Sequence, residues 1–300
     1  MSAGATVLAK PESALRVRLA DYLALTKPRM GVMILFTVAA GAWLASRGEA
    51  NPAIMFHTLL GTALVVAGAS ALNQVLERFS DGLMARTENR PLPAGRLAAA
   101  EGWIFGLILA IIGLSYLSLM LHNRLAALVA GLAFVSYVFV YTPLKKITSL
   151  NTLVGAVPGA LPPVIGWTAV TGAFDAGAAV LFLIVFLWQV PHFLAIARIY
   201  RDDYARAGLR MLPVVDRRGD MTSRQMVTYC LVLIPASLLP VLLGQAGTLY
   251  LLGALLLGLG FLASAVGFLR ERSVVRARRV LKTSLLYLPA LFTLLLVNGM

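Results

Sequence analysis

Nine long apolar runs constrain this chain more than any other feature of its sequence. A helix needs about 17–25 predominantly apolar residues to cross the hydrocarbon core of a bilayer. Lipid offers no partner to an open backbone, so runs of this length predict helices. The predicted spans are residues 29–46, 53–76, 101–121, 124–142, 150–170, 177–199, 227–244, 247–269 and 283–299.

The composition agrees with a lipid environment. The chain is 59% hydrophobic and only 13% charged, whereas soluble domains are about 45–50% apolar and about 25% charged. The net charge of +13 would otherwise suggest nucleic acid, but the apolar content argues against such a partner and for the lipid bilayer. A single cysteine, Cys230, excludes a disulfide within the chain and a cysteine-based metal site.

The distribution of basic residues predicts the topology. If the N-terminus is cytoplasmic, all but two of the 26 Lys and Arg residues fall in the N-terminal arm or in the cytoplasmic loops, the exceptions being Arg47 and Arg124. This asymmetry is what the positive-inside rule requires. We therefore predict an all-α polytopic membrane protein with nine transmembrane helices, a cytoplasmic arm over residues 1–25 and one transmembrane domain over residues 26–300. The arm lacks the apolar core and cleavage site of a signal peptide.

A polar face is predicted at the end of the second span. Asn73, Glu77 and Asp81 are spaced i, i+4, i+8, which places them on one side of a helix, each about 40° further round. Carboxylate and amide oxygens suit Mg²⁺, which completes its shell with water and substrate phosphates. A solvated helix end is the alternative reading, but acids near a membrane are costly to bury and are functional by default.

Basic residues follow on the same predicted side of the membrane. Arg86 and Arg90 come within about a dozen residues of the carboxylates, and Lys145 and Lys146 follow Tyr141 between the fourth and fifth spans. Guanidinium groups suit phosphate oxygens, although ordinary positive-inside residues would look the same. The next span, from Asn151, is rich in Gly and Pro, which allow close backbone approach or a broken helix beside a cavity.

A second polar constellation surrounds the end of the sixth span. His192 follows a proline inside an apolar run, and could ligate heme iron, transfer a proton or orient a substrate. Asp202 and Asp203 follow it, and could either complete a diphosphate–metal site or pair with Arg198 and Arg201. Acids and bases at the membrane edge, above an apolar bundle, predict one substrate with a diphosphate head and a long apolar tail.

At these residues the chain resembles the UbiA superfamily of intramembrane prenyltransferases, which have nine helices and two acidic motifs on cytoplasmic loops. Seven strings carry the likeness, in the family's order, between about residues 26 and 215. They are Thr26 to Arg29, Asn73 to Asp81, Met84 to Gly95, Tyr141 to Lys145, Asn151 to Trp167, Pro191 to Phe193, and Asp203-Tyr204 with Met211 to Pro213. The last three spans match in hydropathy alone.

The strings are most similar to the branch of that superfamily that farnesylates a heme. This resemblance implies farnesyl diphosphate and heme b as substrates, C–C bond formation at a heme vinyl group with addition of water, and a bacterial inner membrane location. It also implies heme A synthase as a candidate partner. Mg²⁺ would be held by Asn73, Glu77 and Asp81, with Lys145 and Asp203 also catalytic. The implied substrate-binding residues are Arg29, Arg86, Arg90, Tyr141, Lys146, Asn151, His192, Asp202 and Tyr204.

Two departures from the general superfamily pattern bear on the acceptor. Glu77 replaces the commoner Asp, and Arg198 stands where the second motif would have an acid four residues before Asp202. The second departure fits the heme branch better than the enzymes that prenylate a quinone precursor or a chlorophyll-like ring, which remain the rival within the family. A secondary transporter is the rival outside it, but no convincing internal repeat supports that reading.

Overall fold

The computed structural model describes residues 11–298, and this part of the chain is built from helices. Nine of its helical segments are long and apolar enough to cross a membrane, so the predicted fold class is confirmed for the described residues. The cytoplasmic N-terminus and the domain division at residue 25 stay predictions. Residues 1–10, with Lys10 of the predicted arm, and residue 299 of the ninth predicted span lie outside the described residues.

The helices follow one another with short connections. Their bounds are α1 Pro11–Leu25, α2 Pro28–Ala45, α3 Pro52–Asp81, α4 Ala99–Met120, α5 Leu125–Val135, α6 Thr142–Ile147, α7 Asn151–Ala160, α8 Pro162–Thr171, α9 Ala176–Ile199, α10 Arg201–Arg206, α11 Leu212–Val215, α12 Asp220–Leu242, α13 Thr248–Arg270 and α14 Val274–Asn298. A π-helical turn, Ser136–Tyr141, joins α5 to α6.

Several spans extend further than the hydropathy pattern predicts. The second predicted span ends at residue 76, but α3 continues to Asp81; the seventh and ninth predicted spans begin at residues 227 and 283, but α12 begins at Asp220 and α14 at Val274. Arg224 and Arg276, expected in loops, therefore lie on helices. Long basic side chains at a helix end can reach the membrane surface. The helical backbone can therefore continue past the apolar stretch without burying their charges.

Two of the membrane-spanning segments depart from a regular α-helix. The fifth span breaks at Leu161 between α7 and α8, beside Pro158 and Pro162, as the breakers in the sequence predict. The fourth span contains the π turn, which was not predicted. A π turn inside a helix is frequent at functional sites because it re-aims the side chains that follow it.

The core divides into two main apolar clusters. One lies where α9 packs with α12, α13 and α14, and includes the fully buried rings of Tyr250, Phe261 and Phe292. The other lies between α3, α4 and α5. Outward-facing Leu and Ile side chains are exposed, as expected of helices whose apolar surroundings are lipid.

Helices α2 and α8 approach each other through glycine. A Cβ atom built on Gly166 would lie 1.9 Å from the carbonyl oxygen of Val38, and one on Gly41 would lie 2.0 Å from that of Pro163. Both neighbours are backbone atoms, which cannot rotate away. The absence of a side chain at these positions is what allows this close packing.

Replacing Gly166 with Ala is therefore expected to destabilise the bundle by about 1–3 kcal/mol, the range for overpacking a dense core. Thermal unfolding of the purified protein in detergent would measure it. Gly31→Ala near the start of α2 is the matched control, because a Cβ there meets nothing within 4 Å. An unchanged melting temperature in Gly166→Ala would contradict the close approach.

Helix α1 is held against the bundle by polar contacts. Arg18 pairs with Glu101 at the start of α4, and Asp21 accepts a hydrogen bond from Arg96 at 3.0 Å. The Gln74 side chain on α3 donates to the carbonyl of Leu25 at 2.8 Å. These contacts fix the turn after α1, so that Lys27 lies next to α3.

Candidate active site

The predicted polar face of α3 exists and is buried. Asn73 and Asp81 are each 1% exposed and Glu77 is 9% exposed. The helix runs unbroken to Asp81, which keeps the three side chains on the common face that the i, i+4, i+8 spacing predicts. Two buried carboxylates in one membrane protein helix require partners, because an unpaired buried charge is costly.

Each member of this face is engaged by a different basic residue. Lys145 Nζ donates to Glu77 Oε1 at 2.6 Å, and Arg90 Nη1 donates to Asp81 Oδ2 at 2.7 Å. Lys27 Nζ donates to Asn73 Oδ1 at 2.9 Å. We call these six residues the charge cluster. Its three bases outnumber its two acids, so at neutral pH it carries an excess of positive charge.

The π turn and a glycine position Lys145. The ring of Tyr141 lies under the Lys145 ammonium, 4.5 Å from its centroid, within the range of a cation–π contact. Tyr141 can occupy that place because its neighbour is Gly155, where an added Cβ would meet the Tyr141 ring at 2.4 Å. The roles that the resemblance implies for Lys145 and Tyr141, catalytic and substrate-binding, stay predictions.

Lys27, a member of the charge cluster, and Thr142, which contacts it, were not predicted as site residues. Burial of the ammonium group, and next the neighbouring Arg90 guanidinium, lower the pKa of Lys27 to about 8. Thr142 accepts a hydrogen bond from Asn73 Nδ2 at 3.1 Å and donates to the carbonyl of Tyr137 at 2.8 Å. The signal that could have found Lys27 is its place immediately before the proline that begins α2.

The loop after α3 contacts the second predicted motif. Arg86 donates to the hydroxyl of Tyr204 at 2.7 Å, and its guanidinium lies 4.9 and 4.8 Å from the ring centroids of Tyr200 and Tyr204. Beneath this contact, Met84 packs in a small apolar cluster with Leu209 and Met211. The two predicted motif regions therefore lie side by side, with Arg86 joining them.

Arg86→Met is accordingly expected to loosen α10 rather than to unfold the bundle. Amide hydrogen exchange over residues 200–206 should accelerate several-fold while exchange in α3 stays unchanged. Tyr204→Phe, which keeps the ring and removes the hydroxyl, should give a smaller effect. Equal exchange in Arg86→Met and the unmodified protein would show that this contact does not hold α10.

Other predicted site residues lie apart from the charge cluster or face outward. His192 Nδ1 is 2.8 Å from Ser284 Oγ on α14, and its ring stacks on Trp188. Asp203 pairs with Arg206, and Asn151 Nδ2 donates to the carbonyls of Thr148 and Arg210. Arg29, Lys146 and Asp202 are exposed.

The residues of the charge cluster line neither of two cavities in the structure. A cavity of about 550 Å³ lies at the opposite end of the bundle, lined by residues that include Trp43, Arg47 and Trp167. Another of about 620 Å³ lies beside α11 and the start of α12. Neither is lined by Glu77 or Asp81, whose surroundings are filled by their own basic partners.

The protein supplies few metal ligands at this end. Within residues 11–298, no group of three or more His, Cys, Asp and Glu side chains could hold a metal ion. The α3 face offers two carboxylates, an amide and the hydroxyl of Ser80, which is 2% exposed and has no hydrogen-bond partner among the described residues. Ser80 lies about 20° from Asn73 around the helix axis. Such an oxygen-rich, incomplete set fits a hard cation that takes its remaining ligands from substrate and water.

Comparison with known proteins gives consistent results along the whole chain. The model of the UbiA prenyltransferase family matches residues 34–291. A protoheme IX farnesyltransferase of Solibacter usitatus is 48% identical over 93% of this chain and 98% of its own length. Those of Koribacter versatilis and Myxococcus xanthus are 43% and 48% identical, covering 99% and 93% of this chain and 99% and 94% of their own lengths.

Solved structures share the fold at low sequence identity. A structure of a digeranylgeranylglyceryl phosphate synthase superposes with a TM-score of 0.78, at 19% identity, over 93% of this chain and 98% of its own. A UbiA homologue from Archaeoglobus fulgidus bound to GPP and Mg²⁺ gives a TM-score of 0.62, at 16% identity, over 92% and 99%.

Proposed function

The chain belongs to the UbiA prenyltransferase family, and we propose that it is a protoheme IX farnesyltransferase. In the proposed reaction, the farnesyl group of farnesyl diphosphate is transferred to a vinyl group of heme b, with addition of water, giving heme O and diphosphate. The observation that carries the proposal is that relatives bearing this name are 43–48% identical over 93–99% of the chain. The charge cluster offers chemistry suited to the diphosphate.

The charge cluster is the proposed diphosphate site. Lys27, Arg90 and Lys145 converge on the α3 face from three different segments, so their charges can be shared with phosphate oxygens. Mg²⁺, held by Glu77, Asp81 and Asn73, would neutralise charge on the departing diphosphate. A homologous Archaeoglobus fulgidus structure is bound to GPP and Mg²⁺, which supports this assignment for a prenyl diphosphate.

The bases would act on the leaving group. Breaking the bond between farnesyl C1 and oxygen puts negative charge on diphosphate, and preformed ammonium and guanidinium groups stabilise that charge with little reorganisation. C1 becomes cation-like and bonds to the terminal vinyl carbon. The adjacent vinyl carbon then takes hydroxide from water, and the remaining proton goes to solvent or to the diphosphate.

Aromatic side chains beside the charge cluster would protect the cation-like carbon. The rings of Tyr137 and Tyr141 lie 5.7 Å apart, next to Lys145. An electron-rich ring stabilises a cation and excludes water until the acceptor is in place. His192, held by Ser284 and Trp188 deeper in the bundle, is proposed to belong to the heme-facing region.

The proposed enzyme would also have a defined membrane location and a downstream partner. We place the enzyme in a bacterial inner membrane, upstream of heme A synthase, because its product would be the substrate of that enzyme. Fractionation of the source cells and co-purification with heme A synthase would check the two points. Recovery of the protein in another membrane would contradict the proposed location. The absence of heme A synthase from the preparation after mild solubilisation would contradict the proposed partner.

A product assay tests the activity. Membranes containing the protein are incubated with farnesyl diphosphate and Mg²⁺, and with either heme b or an aromatic quinone precursor, and the products are read by mass spectrometry. We expect a heme heavier by farnesyl plus water, and none when Mg²⁺ is removed by a chelator. Prenylation of the quinone precursor without any farnesylated heme would overturn the assignment of the acceptor.

A further inference from the structure

The carboxylates proposed to hold Mg²⁺ are already bound to bases of the same chain. Glu77 Oε1 lies 2.6 Å from Lys145 Nζ, and Asp81 Oδ2 lies 2.7 Å from Arg90 Nη1. Side-chain exposure is 12% for Glu77 and 1% for Asp81, so solvent alone cannot stabilise their charges. The bases therefore serve as internal counterions of this face.

A divalent cation alone cannot enter this arrangement without displacing a base. A metal coordinated to one of these carboxylates would lie a few ångströms from an ammonium or guanidinium group, and like charges repel strongly in a poorly hydrated site. The three bases of the charge cluster also outnumber its two acids. The cluster attracts an anion and repels a metal ion.

A diphosphate changes this balance. Its oxygens can accept the hydrogen bonds that Lys145 and Arg90 now give to the carboxylates. Ammonium and guanidinium groups form charge-assisted hydrogen bonds with phosphate as well as with carboxylate. Once the bases have moved to the anion, the carboxylate oxygens are free to coordinate a metal. The same metal can then also bind the phosphate oxygens.

The two bases are placed for such an exchange. Lys145 stands on the last turn of α6 and its ammonium is supported by the Tyr141 ring, so a small rotation of its flexible stem changes its partner. Arg90 lies in the loop between α3 and α4, with 29% of its side chain exposed. Asn73, in contrast, is fixed on its amide side by Thr142.

From this geometry we propose that ligand binding is ordered: the diphosphate binds first and draws Lys145 and Arg90 off Glu77 and Asp81, and the metal ion enters with or after it. The inference rests on the proposed function only in taking a diphosphate as the ligand. It adds that Lys145 and Arg90 keep the metal out until the substrate head group is present.

The test is a metal titration of the purified full-length chain in lipid nanodiscs. Mn²⁺ replaces Mg²⁺ as the probe, and free Mn²⁺ is followed by electron paramagnetic resonance with and without inorganic pyrophosphate. We expect Mn²⁺ to bind at least about tenfold more tightly to the protein with pyrophosphate than without, after correction for Mn²⁺ bound by pyrophosphate itself. Pyrophosphate should bind the protein measurably in the presence of a chelator.

Two variants distinguish the proposed role of Lys145 and Arg90, which is to exclude the metal, from a merely structural role. Lys145→Met and Arg90→Gln each free one carboxylate, so Mn²⁺ alone should bind at least about tenfold more tightly than to the unmodified protein, since a nearby unit charge is worth at least that factor. Pyrophosphate binding should weaken in both. Lys282→Met, an exposed lysine on α14, is the matched control and should change neither. If Lys145→Met does not fold, Arg90→Gln alone decides.

Equal Mn²⁺ affinity with and without pyrophosphate, or no gain of Mn²⁺ binding in the folded variants, would overturn the ordered exchange. Neither result depends on heme. Failure of the proposed function would be seen separately, as a protein that shows the ordered exchange but makes no farnesylated heme.

Discussion

Asp81→Asn is expected to lower kcat/KM for farnesyl transfer at least about 100-fold, the scale found when a group that stabilises a developing charge is removed. Asp81 is 1% exposed and accepts a hydrogen bond from Arg90. An amide of the same shape can still accept that bond, so the fold should survive. The substitution removes the negative charge that would hold the metal on the diphosphate.

A metal-dependent readout separates this role from a general loss of structure. If Asp81 holds Mg²⁺, raising the Mg²⁺ concentration should restore part of the Asp81→Asn rate, because a weakened metal site is filled by mass action. Glu88→Gln, on an exposed acid in the following loop, should retain about the unmodified rate. Retention of more than half of the activity in Asp81→Asn would remove the metal assignment.

The fold could be predicted from sequence because two strong signals agree. Runs of apolar residues give the number of spans, and the distribution of basic residues, which predicts which loops share a side, depends on that number being right. Span ends were less accurate, as α3, α12 and α14 show, because the helical backbone continues through polar residues that hydropathy alone assigns to loops.

The candidate site could be predicted in its acidic half. The spacing of Asn73, Glu77 and Asp81 determines that they share one helix face whatever the tertiary packing, provided that the helix continues. Which base meets which acid depends on contacts between distant segments. The pairing of Lys145 with Glu77 joins residues 68 positions apart, and no local pattern specifies it.

The sequence pattern does not distinguish Arg86 from Arg90 and does not predict the π turn. Arg86 and Arg90 looked equivalent as phosphate-binding bases, yet Arg90 pairs with Asp81 whereas Arg86 lies against Tyr200 and Tyr204. The π turn ahead of Thr142 gave no signal in composition or periodicity, although it precedes both Thr142 and Lys145.

Lys145→Met is expected to impair both stability and activity, and a second substitution should separate the two. Lys145 and Glu77 are 14% and 12% exposed in their side chains. Removing one member of a buried ion pair costs about 3–5 kcal/mol, because the remaining charge has no partner. The single variant should therefore unfold at lower temperature or denaturant concentration, and should lose at least about 100-fold in kcat/KM.

The double variant Glu77→Gln/Lys145→Met removes both charges and should recover most of the lost stability, because no unpaired buried charge remains. Its activity should stay low, since neither the metal ligand nor the base for the diphosphate is present. Unfolding in mild detergent and initial rates of farnesyl transfer would be measured on the same preparations. Recovery of both stability and activity would mean that the pair serves the fold alone, whereas recovery of stability without activity would assign these two residues to the chemistry.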